Sequence, residues 1–125
     1  MIVIDASAIL CLLFEEPGME KVLARGQGAF VSAVNLSEAL SKAMDNGVPA
    51  EIRAIAIEAL ALNIVAFDAD AAHAAAELRT ATKAFGLSLG DRACLALAGR
   101  LRATVLTTDR IWSRLDIGIT IEQLR

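Results

Sequence analysis

Short apolar runs alternate along the chain with longer segments of helical periodicity. Five runs predict buried strands, because they are rich in β-branched residues and lack the polar alternation of a half-exposed strand. They are MIVID with a strand at residues 2–5, AFVSA at 29–33, IVAF at 64–67, ATVLTT at 103–108 and GITIEQL at 118–124. Strands that are apolar on both faces are typical of a parallel sheet covered on both sides. The pattern therefore predicts a three-layer α/β sandwich.

The segments between these runs carry the signals that start and stop helices. ASAILCLLFEEPG predicts a helix that ends at Pro17-Gly18, and MEKVLARG predicts a second one that ends at Gly26. The later predicted helices run from about Val34 to Asn46, over PAEIRAIAIEALALN, from the Asp68 cap over ADAAHAAAELRTATKAF to Gly86, over residues 91–102, and as a short turn over DRIWSRL. No internal repeat or linker interrupts this order, so we expect one domain over residues 1–125.

Composition and charge are those expected of one cytoplasmic domain. Of the 125 residues, 56% are hydrophobic and 22% are charged, which is enough to build a single core. The longest apolar run, Ala8 to Phe14, is far shorter than the ~20 residues that cross a bilayer. No signal-peptide pattern opens the chain. The net charge of −3 does not favour a general nucleic-acid coat protein, but it is compatible with an enzyme whose acids line a metal-filled cleft.

Cysteine and histidine residues do not indicate a site of their own. Cys11 and Cys94 lie inside apolar helical patterns, where a cysteine usually behaves as a small buried hydrophobe. His73 lies among alanines on the Ala-rich helix. We therefore expect it to be a surface or partly buried helix residue rather than a general base.

Four acidic residues occupy positions from which they could converge. Asp5 ends the first strand and Asp109 follows TVLTT, while Asp91 begins a predicted helix and Glu38 lies in the first turns of another. In an open parallel sheet, ligands bind beyond the carboxyl ends of the strands. The four carboxylates are therefore candidates for one site at that edge of the sheet.

A cluster of carboxylates needs protons or a cation to offset its own repulsion. Oxygen ligands without accompanying His or Cys favour Mg²⁺ or Mn²⁺ over zinc. Such an ion can activate water and stabilise the charge that builds on a phosphate. Phosphodiester hydrolysis is therefore the chemistry that suits this set of residues best.

Three of the four acids also have a purely structural interpretation. Asp91 and Asp109 could simply cap helices, because Asp is a favoured N-cap residue. Glu38 follows Asn35 at the spacing of a capping box and could be solvated. Asp5 is harder to explain by stability, since it ends an apolar central strand. Asp68 has the same local context, and only its place on the sheet would separate a cap from a site residue.

Four motifs together resemble those of PIN-domain ribonucleases, specifically the VapC-type toxins of bacterial toxin–antitoxin pairs. They are MIVIDASAILCLLFEEPG, VSAVNLSEALSKAMDNG, LSLGDRACLALA and VLTTDRIW, in this order. The resemblance extends over essentially the whole chain. It implies a central sheet of five parallel strands in the order 3-2-1-4-5. It also implies a Mg²⁺- or Mn²⁺-dependent endoribonuclease that cuts transfer or ribosomal RNA, forms a homodimer and is inhibited by a VapB-type antitoxin.

The resemblance also implies roles for individual residues. Asp5, Glu38, Asp91 and Asp109 match the acidic cluster of the family, whereas Asp68 matches no catalytic acid. On this basis Asp5, Asp91 and Asp109 are the expected metal ligands, and Glu38 is expected to orient or deprotonate the attacking water. Thr107 matches a hydroxyl position that supports the cluster. Cleavage would leave a 5′-phosphate and a 3′-hydroxyl.

Further residues near the motifs suggest contacts with RNA or with a partner. Arg92 and Arg110 could hold phosphates, whereas we expect Arg114 to balance local acids and Trp112 to anchor its helix in the core. Residues 9–26 and the segment around 34–62 carry more apolar side chains than one sheet face absorbs, which predicts an interface. The resemblance implies an antitoxin helix in a groove near the acids.

Two other classes of function are considered beside the ribonuclease. A catalytically silent PIN-like module would bind RNA or protein without cutting, and it would be favoured if one of the four acids were missing. A phosphatase-like enzyme with Asp5 as nucleophile needs a second Asp where this chain has Ser7. A receiver-like domain needs a Lys after a later strand, and none of the lysines, Lys21, Lys42 and Lys83, follows a predicted strand.

Overall fold

A computed structural model describes residues 1–125 and contains one sheet of five parallel strands. The strands lie in the order β3-β2-β1-β4-β5, and every neighbouring pair is parallel. Their bounds are β1 Ile2–Ile4, β2 Phe30–Ser32, β3 Asn63–Val65, β4 Thr104–Thr107 and β5 Ile121–Gln123. The predicted strand order is confirmed.

Seven α-helices cover the two faces of the sheet. They are α1 Ala6–Leu13, α2 Met19–Arg25, α3 Ala33–Asp45, α4 Ala50–Leu60, α5 Ala69–Glu77, α6 Arg79–Thr82 and α7 Leu89–Leu101. Two short 3₁₀ helices, Lys83–Phe85 and Arg110–Arg114, complete the structure. None of the helices combines the length and apolar character needed to cross a bilayer.

Two hydrophobic clusters form the core, one on each face of the sheet. Ile4 and Leu106 belong to the larger cluster, together with buried residues from α1 to α4. Val3 and Val105 belong to the second cluster, which is built mainly from α7. Successive strand residues point to opposite faces, so each of β1 and β4 contributes one residue to each cluster. This is the three-layer sandwich predicted from the doubly apolar strands.

The helical pattern of the chain departs from the prediction in one long segment. The Ala-rich stretch was expected to form one helix up to Gly86, but it is divided into α5, α6 and a 3₁₀ helix. The buried Thr82 donates its hydroxyl hydrogen bond to the carbonyl of Leu78, at 2.8 Å. A side chain that bonds back to the preceding turn bends a helix, which gives a physical reason for the division.

Strand pairing determines where the candidate site lies. β1 is the central strand and pairs with β4 in the register Ile4↔Leu106. The ends of these two strands therefore meet at the carboxyl edge of the sheet, where Asp5 follows β1, Thr107 ends β4 and Asp109 lies just beyond it.

Candidate functional site

Asp5 is the buried centre of the site. It follows β1 and is the N-cap of α1, with a residue exposure of 5%. Its Oδ1 accepts hydrogen bonds from the Ala8 amide at 3.0 Å and the Ser7 hydroxyl at 2.6 Å, and its Oδ2 accepts one from the Thr107 hydroxyl at 2.6 Å. No structural role was predicted for Asp5, but the structure shows that its side chain also caps α1.

Two hydroxyl groups join the ends of β1 and β4. Thr107 Oγ1 accepts a hydrogen bond from the Asp109 amide at 3.0 Å, and Ser7 Oγ accepts one from the Thr108 amide at 2.9 Å. The two hydroxyl oxygens lie 3.3 Å apart. Thr107 was predicted to support the cluster, whereas Ser7 was considered only as the position of a missing acid. Its place two residues after Asp5 was the signal that could have identified it.

Asp109 and Asp91 each combine a capping contact with a place at the site. Asp109 caps the 3₁₀ helix Arg110–Arg114, and its Oδ1 accepts from the Ile111 amide at 3.0 Å. Asp91 was predicted to begin its helix, and this is wrong. α7 begins at Leu89, and Ser88 is its N-cap. Asp91 and Ser88 form a reciprocal capping box, with bonds of 2.9 and 3.2 Å.

Glu38 reaches the site from the middle of α3. Its Oε2 lies 3.8 Å from the Lys42 ammonium group. The predicted capping box with Asn35 does not form, because Ser32 is the N-cap of α3. Asn35 is instead buried and donates a hydrogen bond to the carbonyl of Gly90 at 2.9 Å. This bond connects the helix that carries Glu38 to the helix that carries Asp91.

The charges around Asp5 and Cys94 indicate that three of the acids, Asp5, Glu38 and Asp91, lie near one another. Burial raises the pKa of Asp5 to about 6, opposed by its hydrogen bonds from Ser7 and Thr107, and the charge of Asp91 raises it further. Burial likewise raises the pKa of the Cys94 thiol, and so do the charges of Asp5, Asp91 and Glu38. Cys94 is thus a buried neighbour of three of the acids.

The donor atoms of the site suit a hard divalent cation. They are carboxylate and hydroxyl oxygens, which Mg²⁺ and Mn²⁺ prefer. Asp91 and Asp109 each use one carboxylate oxygen for a capping bond, so the other oxygen can face an ion. No three acidic, His or Cys side chains lie close enough to enclose an ion together.

The arginines differ in their relation to this edge. Arg92 points to α5, where its guanidinium donates to the carbonyl of Ala75 at 3.0 Å and its Nε is buried without a partner. It therefore joins two helices, and its predicted contact with phosphate finds no support. Arg110 and Arg114 are exposed, and Arg110 directly follows Asp109.

Three other residues occupy positions that agree with their structural interpretation. Trp112 is fully buried and packs in the second hydrophobic cluster, as predicted for an anchor. His73 is exposed on α5. Asp68 caps α5 by accepting from the Ala71 amide at 2.9 Å. Its carboxylate is 58% exposed and lies 3.8 Å from Arg100.

An open apolar groove of about 520 Å³ lies at the other end of α1. Leu12, Leu13 and Met19 line one side, and Ile52 and Ile55 of α4 line the other. Ile52 is 47% exposed and Ile55 is 62% exposed. The groove lies in the two segments whose excess of apolar side chains predicted an interface. We expected the groove to lie near the four acids, but none of them lines it.

Comparisons with known proteins agree with this fold. The family profile described as "PIN domain" matches residues 2–118. A toxin–antitoxin complex from Klebsiella pneumoniae superposes with a TM-score of 0.77 at 19% identity, covering 100% of this chain and 98% of that one. DNA-bound VapBC from Salmonella typhimurium gives 0.75 at 19%, covering 99% and 98%. VapC20 from Mycobacterium tuberculosis, described as a sarcin–ricin loop cleaving toxin, gives 0.75 at 13%, covering 96% and 99%.

A search of curated protein sequences finds no match. The solved structures share less than 25% of their residues with this chain, so their likeness shows the fold alone. The family profile, in contrast, covers nearly the whole sequence and includes all four acids. With its sheet order, its two helical layers and its acidic edge, the chain belongs to the PIN domain family.

Proposed function

We propose that this protein is a Mg²⁺- or Mn²⁺-dependent endoribonuclease and the toxin of a type II toxin–antitoxin pair. It would hydrolyse RNA phosphodiester bonds in the cytoplasm and so inhibit translation. The observation that carries the proposal is the buried Asp5, whose pKa is raised to about 6 at an edge where further acids meet. A buried carboxylate near other acids is costly to keep for stability alone and marks functional sites.

Asp5, Asp91 and Asp109 would hold the ion, directly or through its bound water. When bound, a divalent ion lowers the pKa of a water molecule and offsets the charge that builds on the phosphate. Thr107 and Ser7 hold the Asp5 carboxylate in one orientation through hydrogen bonds of 2.6 Å. Preorganised ligands of this kind avoid the cost of ordering them when substrate binds.

Glu38 is the proposed acceptor for the proton of the attacking water. It is one-third exposed and carries a flexible side chain, so it can reach a water at the edge of the cluster. The water oxygen forms a bond to phosphorus while the bond from phosphorus to the 3′-oxygen breaks. The 3′-oxygen takes a proton from solvent, which leaves a 5′-phosphate and a 3′-hydroxyl. Arg110 is exposed beside Asp109 and is available to contact a phosphate of the RNA.

The test compares Asp5→Asn with Asp68→Asn. Both residues follow a strand and cap a helix, but only Asp5 lies in the cluster. The protein is expressed with its antitoxin, released, and incubated with cellular RNA in Mg²⁺ or Mn²⁺, and new 5′ ends are mapped. We expect discrete cuts with the wild type and with Asp68→Asn, and none with Asp5→Asn or with EDTA. Equal cutting by Asp5→Asn would exclude the proposed site.

The partner proposed for the apolar groove is a VapB-type antitoxin. Two similar structures are a toxin–antitoxin complex and a DNA-bound VapBC. The groove exposes Ile52 and Ile55, and nothing in this chain covers them. An amphipathic helix would bury these side chains. We expect Ile55→Glu to weaken copurification of the antitoxin, whereas Ile64→Glu, at a residue 53% exposed on β3 and outside the groove, should retain it.

The same pair of variants examines the proposed homodimer. If Ile55→Glu retains the antitoxin but converts a dimer to a monomer in light scattering, the groove is an interface between two copies of this chain. If both variants bind the antitoxin and keep the wild-type mass, the groove binds neither the antitoxin nor a second copy of this chain.

A catalytically silent PIN-like module is the second candidate function. One observation favours it, namely that no three of the acids are close enough to enclose an ion. This alternative predicts that the wild type binds RNA or its protein partner but produces no new 5′ ends at any Mg²⁺ or Mn²⁺ concentration.

A further inference from the structure

Gly90 makes room for the Glu38 carboxylate. A Cβ atom added to Gly90 would lie 3.0 Å from Glu38 Oε1 and 3.4 Å from both Cδ and Oε2. Contacts this short are tighter than ordinary van der Waals packing. The absence of a side chain at Gly90 therefore lets the carboxylate pack closely against the first turn of α7, directly before Asp91.

Asn35 fixes the helix that carries Glu38 against the same residue. Its side chain is 1% exposed and donates to the Gly90 carbonyl at 2.9 Å. Asn35 precedes Glu38 by three residues on α3, so the two side chains share one face of the helix. Asn35 and Glu38 therefore both contact Gly90. Asn35 bonds to its carbonyl, and the Glu38 carboxylate occupies the space that a side chain at this position would fill.

Glu38 has little else to hold it in place. Its one other charged contact is Lys42 at 3.8 Å, and the Lys42 side chain is 58% exposed. A pair that exposed to solvent restrains a carboxylate weakly. The position of Glu38 relative to Asp91 is thus set mainly by the contact of α3 with Gly90.

We propose that Gly90 and Asn35 are positioning residues that seat the Glu38 carboxylate beside Asp91. Their effect on cleavage is exerted through Glu38, and neither residue touches the substrate. This inference rests on the proposed ribonuclease activity, although the contact itself can be tested without it.

Gly90→Ala separates function from stability, and Gly99→Ala is its matched control. Both glycines lie in α7, but a Cβ at Gly99 would meet only Ile119 Cδ1, at 3.8 Å. Replacing a helical glycine with alanine should raise the melting temperature of Gly99→Ala by about 2–4 °C. In Gly90→Ala the close contact with Glu38 should reduce or cancel this gain. Because displacing a reacting group slows the chemical step, we expect Gly90→Ala to lower kcat about tenfold with the KM for RNA unchanged. Gly99→Ala should keep the wild-type kcat.

A thermal double-mutant cycle tests the contact independently of cleavage. With Glu38→Ala the added Cβ meets no carboxylate, so Gly90→Ala should raise the melting temperature more in that background than in the wild type. Equal shifts in both backgrounds would show that the two residues do not interact, and would overturn the inference. So would a wild-type kcat in Gly90→Ala.

Asn35→Leu provides a second variant with the same number of side-chain heavy atoms and the same branching at Cγ. It removes the bond to the Gly90 carbonyl and also the buried Asn35 Oδ1, which has no partner, so the fold should tolerate it. A reduced kcat with an unchanged KM is expected, and wild-type kcat in this variant would remove Asn35 from the proposal. Absence of cleavage by the wild type would refute the proposed function instead, and it would leave the thermal cycle interpretable.

Discussion

Replacing Asp5 with Asn should make the protein more stable at neutral pH while removing its proposed activity. Asp5 is buried and its pKa is raised from 3.8 to about 6, chiefly by burial. The folded state therefore binds the proton of Asp5 more tightly than the unfolded chain does. Below about pH 4 both states are protonated, and this acid carries no penalty.

The free energy of unfolding falls as the pH rises from about 4 to about 6, because the folded chain retains a proton that the unfolded chain has lost. With about 1.4 kcal/mol for each tenfold change in acidity, ionised Asp5 costs about 3 kcal/mol above pH 6. Asn keeps an oxygen for Ala8 and Ser7, but it turns an amide N–H toward Thr107. The Thr107 hydroxyl must then donate elsewhere, and Ser7 Oγ lies 3.3 Å away. We estimate a loss of about 1 kcal/mol for this rearrangement, which leaves a net gain of about 2 kcal/mol at pH 7.

Trp112 provides the assay, since it is the only tryptophan and is fully buried. Urea unfolding is followed by its fluorescence in EDTA, from pH 4.5 to pH 7, for the wild type and Asp5→Asn. We expect the stability difference between them to grow in favour of Asp5→Asn as the pH rises. A constant difference across this range, or a variant less stable than the wild type at pH 7, would refute the electrostatic reasoning.

Two further predictions concern the ion and the hydroxyl network. Mn²⁺ at about 100 times its dissociation constant should stabilise the wild type by about 2.7 kcal/mol in thermal unfolding; an equal shift in Asp5→Asn would show that the ion binds elsewhere. Thr107→Val leaves the Asp109 amide without its acceptor and should lower the free energy of unfolding by about 1–3 kcal/mol in urea titrations. Thr107→Ser should retain most of the wild-type stability, and similar losses in both variants would indicate packing rather than hydrogen bonding.

The sheet could be predicted from the sequence because its evidence is local. Strands β1 to β4 lie in short apolar runs, and the pattern on β1 and β4 reflects burial on both faces. β5 contains Glu122 and Gln123 and is only partly buried. Helix boundaries were less predictable where two capping residues compete. Ser88 and Asp91 are both favoured N-cap types, and a capping box assigns the cap to the serine, three residues before the predicted start.

The features of the site that escaped prediction depend on contacts between distant parts of the chain. The bond from Asn35 to Gly90 joins residues 55 positions apart, and no local pattern records it. Arg92 follows a motif acid, yet it is directed to α5 by a carbonyl 17 residues earlier in the chain. An excess of apolar side chains predicted an interface in the segments that form the groove. The distance of the groove from the acids, however, depends on where α1 ends.

Helix α1 also determines the distance between the acidic edge of the sheet and the apolar groove. It begins at the Asp5 cap and ends at Leu13, which lines the groove. Eight helical residues span about 12 Å, and an extended chain covers that distance in about four residues. A protein held in the groove therefore needs only a short tail beyond its docked segment to reach the acids. Binding and blocking can thus be encoded in two adjoining stretches of the same partner.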